Sequence, residues 1–158
     1  MNKRSLDYRY NGAHAMIQLL NWHLHECVEI WYEAKRRGVV LPDTDDPDYD
    51  SLEALLCHIL GAAGRHLNWI CEKLDLPDPG IEPVPEAPDV ELKAREYVKH
   101  LTDRWQTPLV NVPKELFYNR TWPARWGPEY CIDAMLEHAV MHPIRHAFQL
   151  QNLIDGRR

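Results

Sequence analysis

Nine histidines in 158 residues carry most of the chemistry this sequence offers, and three of them fall in register. His138, His142 and His146 stand four residues apart in Glu137-His-Ala-Val-Met-His-Pro-Ile-Arg-His146. A four-residue step along an α-helix turns about 400°, so consecutive members of the run lie on nearly one face, a turn apart. At this histidine content such a triple arises by chance roughly 0.03 times per chain, which points to a shared task. Two imidazoles on one helix cannot complete the shell of a divalent ion, so a further ligand has to come from another element. His58, in Leu56-Cys-His-Ile-Leu-Gly-Ala-Ala-Gly64, is the best placed, because Gly61 and Ala62 leave space one turn along.

The expected metal ligands are therefore His58, His142 and His146, with His66 the second choice for the position given to His58. His138, His66 and His23 are expected behind the ligands or along the pocket, His23 because it falls on an apolar stripe between Leu20 and Cys27. His14, His25 and His100 read as solvated surface residues. Three neutral imidazoles leave one to three positions on an ion for water or substrate, the arrangement of a catalytic centre. An ion held this way is a Lewis acid and lowers the pKa of a bound water or thiol. Imidazole ligation suits zinc, nickel, iron or copper by softness; zinc or nickel is expected, with iron or manganese as alternatives. Asp133 and Glu137 are the carboxylates near enough in sequence to orient a ligand from behind.

Four long segments must position these residues, and all four read as helices. The first spans residues 11–37, with Ala13, Met16, Leu20, Cys27, Ile30 and Ala34 at three- and four-residue steps and Gly38 to end it. A turn-rich Asp/Pro stretch follows, and Asp50 or Ser51 is placed to cap a second helix over residues 51–74, whose stripe is Leu52, Leu56, Ile59, Ala63, Leu67, Ile70 and Leu74. A proline-rich linker leads to a third helix over residues 89–106, with Leu92, Val98, Leu101 and Trp105 as its apolar positions. Residues 107–128 form a long irregular connection holding four prolines and the aromatics Phe117, Tyr118, Trp122 and Trp126, a length that suits a lid or rim. The last helix, residues 129–154, bears the histidine run, and Pro143 inside it predicts a kink.

The expected fold is thus all-α, a four-helix bundle forming one domain over residues 1–158. A formal charge of −6 with dispersed Lys and Arg argues against a nucleic-acid partner. No run approaches the ~18 apolar residues of a membrane span and the charged start lacks the apolar stretch of a secretory signal, so a cytoplasmic location is expected. Four widely spaced cysteines with no Cys-x-x-Cys pair predict reduced, mostly buried thiols.

A lone histidine on the second helix and a His-x-x-x-His pair on the last resemble the DinB-like (YfiT-like) family of metal-dependent bundle enzymes. The likeness covers nearly the whole chain: its length, helix order, long connection before the last helix, and a final motif, His142-Pro-Ile-Arg-His146-Ala-Phe-Gln149, similar to the family's His-x-x-x-His-Arg-Gly-Gln. Ala147 and Phe148 depart from it, as does Pro143. The resemblance implies His58, His142 and His146 as ligands, an up-up-down-down helix order, a site open to solvent at one end of the bundle, and a homodimer. It also implies a transferase acting with a low-molecular-weight thiol on a small electrophile, with Arg145, Gln149 and the loop from Tyr118 to Trp126 shaping the pocket. The rival expectations are a metal-dependent hydrolase, a non-catalytic ion stapling helices two and four, or a metal-free histidine network that charges below pH ~6.5.

Overall fold

A computed structural model describes residues 6–157; the charged start, residues 1–5, lies outside them. Four helices dominate: α1 (Asn11–Arg36), α2 (Leu52–Lys73), α3 (Ala87–Trp105) and α4 (Ile132–Ile154). They form an all-α four-helix bundle in which α1 packs most extensively on α4, and α2 on α3. Two-residue strands, β1 (Trp122–Pro123) and β2 (Glu129–Tyr130), pair antiparallel ahead of α4, with Trp122 opposite Tyr130.

Local chemistry sets the helix ends. Gly38 adopts φ 64°, which lets Val39 N–H reach the Ala34 carbonyl at 3.0 Å and closes α1. Ser51 caps α2, its hydroxyl accepting from Ala54 N–H at 3.0 Å. Two boundaries differ from expectation. Helix α3 begins at Ala87, two residues early, because proline is tolerated in a first turn where its missing N–H has no partner to lose. Helix α4 begins at Ile132 rather than at residue 129, because Glu129 and Tyr130 are drawn into the β pair and Cys131 takes the cap. The helix then continues through Pro143 to Ile154.

One core unites the four helices. Trp31, Leu24, Leu56, Ile59, Leu101, Trp105 and Leu136 are all but fully buried, each contributing roughly 1.5–3 kcal/mol or more by burial. The two buried indoles are satisfied across helices: Trp31 Nε1 donates to the Leu52 carbonyl at 2.6 Å and Trp105 Nε1 to the Ala63 carbonyl at 3.2 Å. Of the apolar positions named on α3, Leu92 is exposed; the buried face runs through Val90, Ala94, Tyr97, Val98, Leu101 and Trp105. On α1 the face is likewise rotated, through Ile17, Leu24, Val28 and Trp31, leaving Met16 and Ile30 half-buried. Cys27 and Cys71 are buried, Cys57 and Cys131 half-buried, and all four are free thiols. Among the described residues no helix is long and apolar enough to cross a membrane.

Candidate metal centre

Helices α2 and α4 bring His58, His142 and His146 together. Each offers one ring nitrogen, and the three atoms lie within 4.8 Å of one another. His58 Nε2 is 3.0 Å from His142 Nε2. The rings stand 4.7 Å apart for His142 and His146, 4.9 Å for His58 and His142, and 5.3 Å for His58 and His146. His142 and His146 are buried and His58 is half-buried.

The nitrogens that face away from the cluster are held. Asp48 Oδ2 lies 2.7 Å from His58 Nδ1, and Gln149 Oε1 lies 2.9 Å from His146 Nδ1. A carboxylate and an amide oxygen can only accept, so each fixes the tautomer with hydrogen on Nδ1 and a lone pair on Nε2. Tyr49 O–H donates to the same Gln149 Oε1 at 3.4 Å. Both Asp48 and Tyr49 come from a 3₁₀ turn, Pro47–Tyr49, started by Pro47 and by Asp46, whose side chain accepts from Asp48 N–H at 3.0 Å.

His146 Nε2 is buried with no hydrogen-bond partner. An orphaned polar atom of this kind costs about 1–3 kcal/mol, and a cation between the three rings would satisfy it. The dimensions fit: with bonds of about 2.0–2.1 Å, a tetrahedral ion separates its ligands by about 3.3 Å, inside the observed span of 3.0 to 4.8 Å. Electrostatics fit too. Burial, then the neighbouring His58 and Arg145, pushes His146 down to about 4. His142 is pushed down by burial and then by His146, His66, His58 and Arg145. Burial also lowers His58, outweighing the pull of Asp48. At neutral pH the three rings are therefore uncharged, the state in which imidazole ligates.

A cleft of about 420 Å³ opens on this cluster, lined by His58 and His142 together with Ala62, His66, Trp69, Arg125, Trp126, Met135 and His138 among others. His146 lies behind, on the side of Gln149. An ion among the three imidazoles would thus be closed by protein on one side and face a cavity on the other.

Of the other expected site residues, His66 and His138 line the cleft but stay outside the cluster. His138 stacks on Trp126, with ring centres 4.7 Å apart, and meets His66 at 5.0 Å. Each four-residue step overshoots a full turn by about 40°, so two steps swing His138 about 80° from His146. Burial, then His138 and Arg65, pushes His66 down to about 3; His138 is lowered by burial and then Arg145. His23 does not reach the site: it turns to Glu26 at 3.0 Å and packs beside the exposed Trp22, one position off the buried face of α1. Arg145 and Trp126 line the cleft as expected, whereas Tyr118 bonds to Tyr10 elsewhere. The carboxylate behind the cluster is Asp48, not Asp133, whose nearest hydrogen-bond partner is Tyr10, nor the exposed Glu137. Asp48 sits in an irregular segment whose position only tertiary packing defines; its Asp-Pro-Asp-Tyr composition signals a turn and nothing more.

Asp48→Asn is expected to weaken metal binding about 10- to 100-fold while leaving the helical fold intact, because the carboxylate raises the basicity of His58 without itself meeting the ion. Zinc titration alongside far-ultraviolet circular dichroism measures both. Unchanged affinity would remove Asp48 from the site. No protein-family model, curated protein or solved structure matches the chain.

Proposed function

We propose that this protein is a metal-dependent enzyme of the DinB-like kind, holding one zinc or nickel ion on His58, His142 and His146 and transferring a low-molecular-weight thiol to a small electrophile. The observation that carries the reading is the buried, unpartnered His146 Nε2 beside two other imidazole nitrogens at the base of an open cleft. When bound, the ion supplies Lewis acidity, lowering the pKa of a thiol or water that reaches it.

The rest is the work of the chain. Asp48 and Gln149 hold the ligand rings in one tautomer and orientation. Trp69, Met135 and Trp126 give the cleft apolar walls that shelter the reacting sulfur from bulk water. In the transfer the thiol gives up its proton, its sulfur bonds to the electrophilic carbon, and the leaving group departs with its bonding pair. His138, kept neutral and placed on the cleft wall, is a base within the cavity for that proton.

The test begins with the metal content of protein purified without an affinity tag, by elemental mass spectrometry, for the wild type and His58→Ala. About one equivalent in the wild type and little in the variant is expected, followed by metal-dependent consumption of a small thiol with 1-chloro-2,4-dinitrobenzene. Absence of metal after dialysis against zinc, nickel and manganese would overturn the proposal. Stoichiometric metal with no turnover across a panel of thiols and electrophiles would favour a staple between α2 and α4 instead.

A further inference from the structure

The cleft has a second chemical character beside its histidines. Its lining includes three guanidinium groups, Arg65 from α2, Arg125 from the loop between β1 and β2, and Arg145 from α4, and no carboxylate. This runs against the balance of the chain, in which 24 acidic residues outnumber 18 basic ones. Arg36, Arg37, Arg95 and Arg157 each meet a carboxylate. Among the described residues, Arg65, Arg125 and Arg145 form no ion pair.

Three like charges on one concavity, each open to solvent, give it a positive field, and apolar walls of low dielectric focus that field into the cleft. An anion in the cleft meets that field. The planar fork of arginine matches a carboxylate by paired N–H···O bonds, and three forks on three elements approach from different directions. The Arg65 guanidinium lies back along α2 over Gly61. Between the arginines the surface is apolar, with Ala62, Trp69, Met135 and Trp126, and Trp126 keeps 49% of its surface exposed while stacked on His138. A volume of about 420 Å³ lies at the small end of ligand pockets.

We propose that this cleft is a subsite for a small organic carboxylate with a flat apolar body, the carboxylate held by Arg65, Arg125 and Arg145 and the body laid against Trp126 and Trp69. The inference rests on the metal-site reading only for its link to catalysis; there it makes the substrate an anion.

Isothermal titration calorimetry with trans-cinnamate and its neutral isostere trans-cinnamamide tests it, on both chelator-treated and zinc-treated protein. Wild-type protein should bind cinnamate at least tenfold more tightly than cinnamamide. Arg145→Gln and Arg65→Gln should each weaken cinnamate about tenfold, the loss of a charge-assisted hydrogen bond, and leave cinnamamide unchanged. Arg36→Gln, away from the cleft, should change neither, and Trp126→Leu should weaken both. Equal affinity for the two compounds, no binding of either, or arginine variants that bind like the wild type would overturn the subsite, as would inorganic phosphate competing as well as cinnamate. The two readings fail separately: cinnamate selectivity without zinc binding sinks the metal centre and keeps the subsite, and zinc binding without selectivity does the reverse.

Discussion

Replacing His142 by alanine should weaken zinc binding by at least about 100-fold, and His146→Ala should do the same. The estimate follows from sharing the roughly 10–16 kcal/mol of a four-ligand zinc site among its ligands, about 3 kcal/mol each. His142 meets both other rings, its Nε2 3.0 Å from that of His58 and its ring centre 4.7 Å from that of His146, so its loss leaves only one ligand on each of two helices. His100→Ala should bind zinc as the wild type does, because that ring accepts from Glu82 N–H on the surface of α3 and never meets the cluster. Competition against a chromophoric chelator measures all three. A sharper variant is His146→Leu, which fills the volume with an apolar side chain and removes the orphaned Nε2. It should abolish zinc binding and raise the stability of the metal-free protein by about 1–3 kcal/mol, since the buried His146 Nε2 is then no longer left unpaired. Gain of stability with loss of metal marks a residue kept for its ligand rather than for packing. Zinc held as tightly by His142→Ala as by the wild type would refute the assignment.

The three histidines were legible because helical spacing is a local property. A four-residue step fixes His142 and His146 on one face whatever surrounds them, and small residues after His58 mark the room it needs. The same rule read too far places His138 with them, because an overshoot of about 40° per step accumulates. Misplacement of His23 has a related origin: an apolar stripe drawn through a few residues can rotate by one position, and only the neighbouring helix decides which edge of it is buried. Asp48, Arg65 and Arg125 carried no such signal. Their roles depend on where a 3₁₀ turn, a helix flank and a loop meet in space, and no periodicity links those positions. The orienting carboxylate could not have been chosen over Asp133 or Glu137 without the turn at Pro47 laid against α2.

Stability of the metal-free protein should fall as acid is added, beginning near pH 6.5. Folding holds His146 at about 4 and His66 at about 3, and also lowers His142, whereas the unfolded chain takes up these protons near 6.5. A lowered folded-state pKa means that the unfolded state binds more protons as pH drops through this window, so stability is complete above about 6.5 and is lost progressively toward 4 and 3. One histidine held at about 4 contributes at most roughly 3 kcal/mol at neutral pH, and the group together several, against a total of roughly 5–15 kcal/mol for a domain. Zinc changes the size of the effect and not its sign. At 100 times its dissociation constant it adds about 2.7 kcal/mol near pH 7.5, and the gain vanishes in acid, because protons and metal compete for the same Nε2 lone pairs. Urea midpoints from pH 7.5 to 3.5, with chelator and with zinc, should therefore give two falling curves that converge only as His146, held at about 4, takes up its proton. In His66→Leu the metal-free curve should flatten while its separation from the zinc curve at pH 7.5 stays, since His66 lies on the cleft wall outside the cluster. A midpoint flat across that range in chelator would mean that burial does not hold these rings neutral in acid.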